Sequence, residues 1–206
     1  MVYVIWNKIA WGYDAFETLL NREVYINTGK LVAEEIEPDD IVLECACGTG
    51  SISRHIAPAC KKLVACDMSE KMMDQARKNC AAYDNVRFFK ADITRLDVGA
   101  GRFDKVVAGN VIHLLDDPVA ALKGFERVCK TGGKIIIPTY IDVKIAKHDS
   151  IQNRLLCGFV DVLGIEFKRG FDPDSYKQFF RDAGYENVTY KTAEGRCPCM
   201  IAVIQL

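Results

Sequence analysis

The sequence predicts an α/β protein built on a doubly wound, mostly parallel sheet of seven strands with the last one antiparallel. Three observations lead there. Apolar runs of strand length alternate with stretches whose apolar residues recur at three- and four-residue steps. A glycine turn, Gly48-Thr49-Gly50, follows the first such run. Asp67, Asp92 and Asn110 then end or follow the next three runs, and doubly wound sheets hold ligands beyond the carboxyl ends of their strands.

Taken in order, residues from about 12 to 36 have helical periodicity in Phe16, Leu19, Leu20, Val24, Leu31, Val32 and Ile36, with Thr28-Gly29 as a break. An aromatic segment, Tyr3, Trp6, Trp11 and Tyr13, precedes it and suits either core packing or a lid over a ligand. Pro38-Asp39-Asp40 turns the chain into a strand at Ile41 to Leu43, apolar and β-branched as burial on both faces requires. Thr49 and Ser51 are placed to cap the helix after the turn. Lys62 to Cys66 is the second strand, and a helix from about 69 to 80 puts Met73, Ala76 and Cys80 on one face. Val86 to Ala91 and Asp104 to Ala108 are the third and fourth strands.

Asp117-Pro118 opens a helix with an N-cap and a first-turn proline. Leu122, Phe125 and Cys129 form its buried stripe, and Gly132-Gly133 ends it before a fifth strand from Lys134 to Tyr140. Ile151 to Phe167 breaks the rhythm as an inserted helix. Another helix starts at Phe171-Asp172-Pro173 and stops at Ala183-Gly184. Val188 to Thr192 and Met200 to Leu206 are two strands whose short connection favours antiparallel pairing. The expected organisation is one domain over residues 1–206. Residues 1–37 are a helical N-terminal lid, 38–140 a ligand-binding half, 141–171 an insertion and 172–206 a closing helix and strand pair.

Composition narrows the classes. Half the residues are hydrophobic and 27% charged, ordinary for a globular chain. A net charge of −1 argues against bulk nucleic-acid binding, which needs many cations against the phosphates. No apolar run approaches a membrane span, and Met1 to Lys8 lacks the basic leader of a signal peptide, so a cytoplasmic location is expected. Nine cysteines, among them Cys45, Cys66, Cys129 and Cys157 in apolar runs, read as buried free thiols. Cys45-x-Cys47 and Cys197-Pro198-Cys199 lack the spacing of a structural zinc site, and no metal is expected.

The motif Glu44-x-Ala46-x-Gly48-x-Gly50 resembles the first motif of class I S-adenosylmethionine-dependent methyltransferases, an acidic residue followed by G-x-G-x-G, with Ala46 in place of the first glycine. The resemblance covers nearly the whole chain from residue 38 and implies their Rossmann-like fold. It implies S-adenosylmethionine as cofactor, S-adenosylhomocysteine as product, and a cofactor site at Glu44, Ala46, Cys47, Gly48 and Gly50. Asp67, seventeen residues beyond Gly50, would accept both ribose hydroxyls, or else cap the next helix, a role open to Ser69 as well. Met68 would pack on the adenine. Asp92 and Ile93 match the adenine-binding element, though an aspartate there is also a turn residue. Asn110 would lie near the methionine moiety. Tyr13-Asp14 resembles a pair in the lid helix of some small-molecule methyltransferases, where the tyrosine covers the cofactor.

The donor arrives already activated, so the protein needs chiefly to position the acceptor for in-line displacement. A general base is required only where the acceptor must lose a proton. His113 is one candidate, with a structural role as the alternative. Tyr140 and Asp142 are others. Gly109-Asn110-Val111-Ile112-His113-Leu114-Leu115 and the inserted helix look most like the small-molecule branch that includes quinone-ring C-methyltransferases. That implies a small-molecule acceptor and a monomer or homodimer. Tyr3, Trp6, His148, Phe159 and Phe167 would line an aromatic or apolar acceptor pocket.

Two rivals stand beside this reading. An NAD(P)-dependent oxidoreductase would explain the glycine turn and Tyr140-x-x-x-Lys144, but Gly48-x-Gly50-x-x-Ser53 lacks the third glycine of the dinucleotide fingerprint. A non-catalytic cofactor-binding protein of the same fold is the other. Convergence of Cys47, Cys157 and Cys197 would point instead to arsenic(III) as acceptor.

Overall fold

The computed structural model describes residues 2–141, 168–195 and 197–206. Seven strands form one sheet: β1 (Ile41–Cys45), β2 (Lys62–Asp67), β3 (Val86–Lys90), β4 (Phe103–Val107), β5 (Cys129–Tyr140), β6 (Val188–Ala193) and β7 (Cys199–Gln205). Their order is β3-β2-β1-β4-β5-β7-β6. The first five pair in parallel, and β7 runs antiparallel between β5 and β6. The strand order reverses between β1 and β4, so a crevice opens where their carboxyl ends diverge.

Alternation along the strands divides the core into two layers. Leu43, Val106, Ile135, Ile137 and Ala202 pack on one face with α4 (Pro118–Val128) and α5 (Pro173–Asp182). Val42, Leu63, Val107, Ile136 and Val203 pack on the other with α2 (Ser53–Ile56), α3 (Glu70–Asn79) and the end of α1 (Val2–Ala33). Tyr176, fully buried from α5, donates its hydroxyl to the Ile137 carbonyl at 2.5 Å and so ties that helix to the centre of the sheet.

Several boundaries differ from expectation. The N-terminal helix starts at Val2, ten residues earlier than its apolar period suggests, and its break is at Asn21 (φ −146°, ψ 36°) instead of Thr28-Gly29. Asn21 is buried; its Nδ2 donates to the Cys197 carbonyl at 2.9 Å, and that tertiary bond fixes the kink. Gly29 serves packing, since a Cβ there would lie 2.2 Å from the His55 ring. Cys129, expected on the stripe of α4, is already extended and begins β5. Gly132-Gly133 is therefore not a helix stop. It lies in the bulge between the Phe103–Cys129 and Lys105–Lys134 pairings, where a Cβ on Gly133 would meet the Asp104 carbonyl at 2.6 Å. The expected helix at Ile151 to Phe167 lies outside the described residues, as do Asp142, Lys144, His148 and Cys157. No helix among the described residues is long and apolar enough to cross a membrane.

Candidate active site

After β1 the backbone enters left-handed conformations at Ala46 (φ 56°), Gly48 (φ 54°) and Gly50 (φ 81°). For Ala46 the Cβ makes this cost about 1–2 kcal/mol, so the position that departs from the motif still has the motif's backbone. The Cys47 N–H donates to the Cys66 carbonyl at 2.9 Å, anchoring the turn to the end of β2. A Cβ on Gly50 would stand 3.1 Å from Ala76 on α3, whereas one on Gly48 would meet no atom of the described residues within 4 Å. Gly50 thus presses the turn against a helix, and Gly48 presents bare backbone to open space. Gly109, beyond β4, closes the other wall: a Cβ there would fall 2.4 Å from Ile52.

Thr49 and Ser51 do not cap the following helix. It has only four residues, and its N-cap, Ile52, makes no side-chain bond. The Thr49 hydroxyl instead donates to Asp14 at 2.5 Å. Cys47 is buried, its thiol 3.9 Å from the Gly48 carbonyl.

Glu44, 2% exposed, accepts the Ser53 hydroxyl at 2.5 Å and so locks α2 to the end of β1. Burial pushes its pKa up to about 8 against the lowering effect of the Ser53 bond, with the Asp67 charge adding to the rise. It is largely protonated at neutral pH. Asp67 reaches back to the turn: its Oδ2 accepts the Gly48 N–H at 2.9 Å and its Oδ1 the Ser69 N–H at 2.8 Å. Burial raises its pKa, and those backbone donors oppose the rise. The N-cap of α3 is Ser69, whose hydroxyl accepts the Met72 N–H. Met68, between them, is 40% exposed, an unusual state for a methionine beside a cleft.

Asp92 caps a 3-10 turn over Ile93–Arg95, its Oδ1 accepting the Thr94 N–H at 2.9 Å and hydroxyl at 2.7 Å. Ile93 is buried in the core beside Leu96. Asn110 (φ 52°) ties β4 to β5, its N–H donating to the Pro138 carbonyl at 2.8 Å and its Oδ1 accepting the Tyr140 N–H at 3.2 Å. A second 3-10 turn, Ile112–Leu114, places His113, 6% exposed, where burial drives its pKa down to about 4. The imidazole is neutral at physiological pH. Tyr140 is half-buried at the end of β5.

Sequence reasoning missed Arg169 and the bonding of Asp14. Lys168 and Arg169 return the chain to the site, both N–H groups donating to the His113 carbonyl. The Arg169 Nε is buried and makes no hydrogen bond. Nothing in its sequence neighbourhood marked it. The other is Asp14, which the sequence flagged only as Tyr13's neighbour. It accepts from Thr49, from the Tyr25 hydroxyl at 2.9 Å and from Asn79 Nδ2 at 2.7 Å. The Tyr13 side chain lies outside the described residues. All eight described cysteines are buried, and burial drives the Cys45 and Cys47 thiols well above their usual range, which leaves them weak nucleophiles. Among the described residues no three His, Cys, Asp or Glu side chains converge on a metal position.

Comparisons with known proteins agree with this geometry. Residues 42–133 match the methyltransferase domain family. A demethylmenaquinone methyltransferase of Clavibacter sepedonicus is 31% identical over 140 residues, 66% of this chain and 56% of that protein. One of Renibacterium salmoninarum is 26% identical over 211 residues, 94% of this chain and 87% of the relative. The chain spans about half the length of the first curated relatives it matches. Among solved structures, DhpI in complex with SAH superposes with a TM-score of 0.74 at 19% identity, over 98% of this chain and 94% of the other, a likeness of fold. Residues 42–133 are thus a methyltransferase domain, set in a chain whose sequence and fold resemble those of S-adenosylmethionine-dependent methyltransferases.

Proposed function

We propose that this chain moves the methyl group of S-adenosylmethionine to a small-molecule acceptor by in-line displacement. The observation that carries the proposal is the open face of Gly48, with Asp67 bonded to its N–H and Met68 exposed alongside. Bare backbone, a carboxylate with lone pairs to spare and an exposed apolar side chain suit the methionine, ribose and adenine of one ligand in turn. The donor supplies the activated methyl. The protein's own work is to hold it, keep water away and aim the acceptor. Glu44, Ala46 and Cys47 shape the turn from beneath, Asp92 and Ile93 border the adenine end, and Asn110 borders the sulfur end.

On the acceptor side His113 acts as a neutral hydrogen-bond partner rather than a strong base, because its basicity is low. Tyr140 is the alternative proton acceptor. The Arg169 guanidinium, with no bonding partner for Nε, suits an acceptor oxygen that bears negative charge. Some relatives carry names with quinone-type or carboxyl-type acceptors, demethylmenaquinone and malonyl-[acyl-carrier protein]. The oxidoreductase reading loses its Tyr-x-x-x-Lys support, since Tyr140 ends a strand and that pair requires a helix.

Thermal denaturation tests the proposal. S-adenosylhomocysteine should raise Tm in proportion to its affinity while NAD(P) leaves it unchanged, and labelled methyl should pass from S-adenosylmethionine to a phenol, quinol or carboxylate in a panel. Stabilisation by NAD(P) alone would reverse it. Binding of S-adenosylhomocysteine with no methyl transfer across the panel would favour the non-catalytic alternative.

A further inference from the structure

The backbone that carries Arg169 is held on both sides. The Lys168 and Arg169 N–H groups donate to the His113 carbonyl at 3.1 and 3.3 Å, which seats them on the turn after β4. Ile112, 1% exposed, fixes that turn in the core, and Lys168 Nζ pairs with Asp116 just beyond it at 3.4 Å. Two residues after Arg169, Phe171 enters the core, its ring 5.1 Å from Tyr176 and 5.6 Å from Phe179, and Asp172 then caps α5. Arg169 therefore stands at a fixed place at the β4–β5 end of the crevice.

Its side chain is half-buried, yet Nε is sealed from solvent and makes no hydrogen bond. A buried N–H on a cation is costly to leave unmet, and a ligand oxygen is the group that would meet it. The His113 imidazole beside this backbone is neutral, its pKa driven down to about 4 by burial. The donor, by contrast, brings a positive sulfonium into the same crevice. Two cations there repel each other unless the acceptor supplies negative charge.

The chemistry of transfer says where on the acceptor that charge belongs. A lone pair of the accepting atom forms the new bond to the methyl carbon, and the C–S pair returns to sulfur, leaving a neutral thioether. Any proton on the accepting atom passes to water. Electron density on the accepting atom falls along this path. A guanidinium bonded to that atom would hold the reactant more tightly than the transition state and would raise the barrier. A group that keeps its charge throughout gives no such penalty. We propose that Arg169 is the specificity-determining residue for the acceptor, binding a carboxylate that the acceptor carries apart from the atom that takes the methyl. The inference rests on reading the crevice as a methyl-transfer site. A carboxylate fits best because its two coplanar oxygens match the planar fork of an arginine. A neutral amide offers one acceptor oxygen and no charge, so it would leave part of the fork unmet and be rejected.

Matched pairs of acid and amide test this on the protein saturated with S-adenosylhomocysteine, so that binding is read without turnover. Suitable probes are hydroxybenzoates against hydroxybenzamides, and short aliphatic hydroxy acids against their amides. At neutral pH and equal ionic strength the acid of at least one pair should raise Tm and its amide should not. Arg169→Gln should weaken binding of that acid roughly ten- to a hundredfold in calorimetry, the range for hydrogen bonds to a charged group, while S-adenosylhomocysteine binds as in wild type. Arg169→Lys keeps the charge but loses the fork, and should recover part of the affinity. With labelled donor, Arg169→Gln should raise KM for the acid far more than it lowers kcat, since the carboxylate is held equally before and during transfer. No acid preferred over its amide in any pair, or an Arg169→Gln protein that keeps the preference, would overturn the proposal. A fall in kcat at unchanged KM would overturn it too, by placing the guanidinium on the reacting atom. If Arg169→Gln does not fold, Arg169→Lys and the wild-type preference between acid and amide decide. Failure of the wild-type protein to bind S-adenosylhomocysteine would instead remove the donor-site reading, and acid binding without methyl transfer would remove catalysis and leave the carboxylate site standing.

Discussion

The two ends of the crevice are built from different materials. At the ends of β1 and β2 the site is backbone: left-handed residues, the exposed edge of Gly48, and carboxylates spent largely on backbone N–H groups or, for Glu44, on Ser53. At the ends of β4 and β5 it is side chains on short turns, with a buried neutral imidazole and a guanidinium whose Nε has no partner. A backbone-made site suits a ligand that is always the same, because no side-chain change can easily redesign it. A side-chain-made site on a turn can be altered one residue at a time. On the proposed function, the donor end is thus the part such a fold can share, and the acceptor end the part it can vary.

Breaking the donor end should have the largest effect. Gly50→Val places a β-branched side chain at φ 81° and 3.1 Å from Ala76, so S-adenosylhomocysteine binding should vanish and stability fall by at least about 2 kcal/mol in a urea titration. Asp67→Ala, which removes only a side chain, should weaken binding by roughly ten- to a hundredfold in calorimetry while unfolding stays cooperative.

Titration sharpens the comparison, since the two ends carry opposite signs. Glu44 has its pKa raised from 4.5 to about 8, so the folded state holds a proton that the unfolded state gives up. Its stabilising contribution is complete below about pH 4.5 and is lost as pH rises through 8. His113 has its pKa lowered from 6.5 to about 4; its contribution is complete above about pH 6.5 and is lost as pH falls toward 4. Glu44→Gln should therefore raise Tm relative to wild type at pH 8.5 and lose that advantage near pH 5. His113→Asn should flatten the acid limb between pH 6.5 and 4 and leave the basic limb alone. The reverse pattern in either variant would show that the group is not buried as described.

The smallest effect concerns the residue where the motif departs. Ala46→Gly relieves a left-handed alanine at the cost of a looser unfolded chain, and should stabilise by no more than about 1 kcal/mol in the urea midpoint. A marked loss of stability would mean that the Ala46 methyl is packed for a purpose.

Much of the framework was legible because its causes are local. β-branched runs marked β1, β2 and β4. Asp117-Pro118 and Asp172-Pro173 marked the starts of α4 and α5, each aspartate capping through its own side chain. Asp67, Asp92 and Asn110 were legible as strand-end residues for the same reason. Glycines were less legible, because a glycine that breaks a helix and one that admits a neighbour look alike in sequence. Gly29 exists for His55 and Gly133 for the β4–β5 bulge, and both look like helix stops.

What the sequence by itself determined is the alternation that builds the sheet and the spacing that puts a glycine turn and three polar strand ends on one side of it, since both depend on chain-local periods and turn chemistry. Tertiary structure alone decided where the first helix bends, what Thr49 bonds to and which arginine reaches His113. Those outcomes rest on partners 176, 35 and 56 residues away, in the pairs Asn21–Cys197, Asp14–Thr49 and His113–Arg169, and no local period records such a distance.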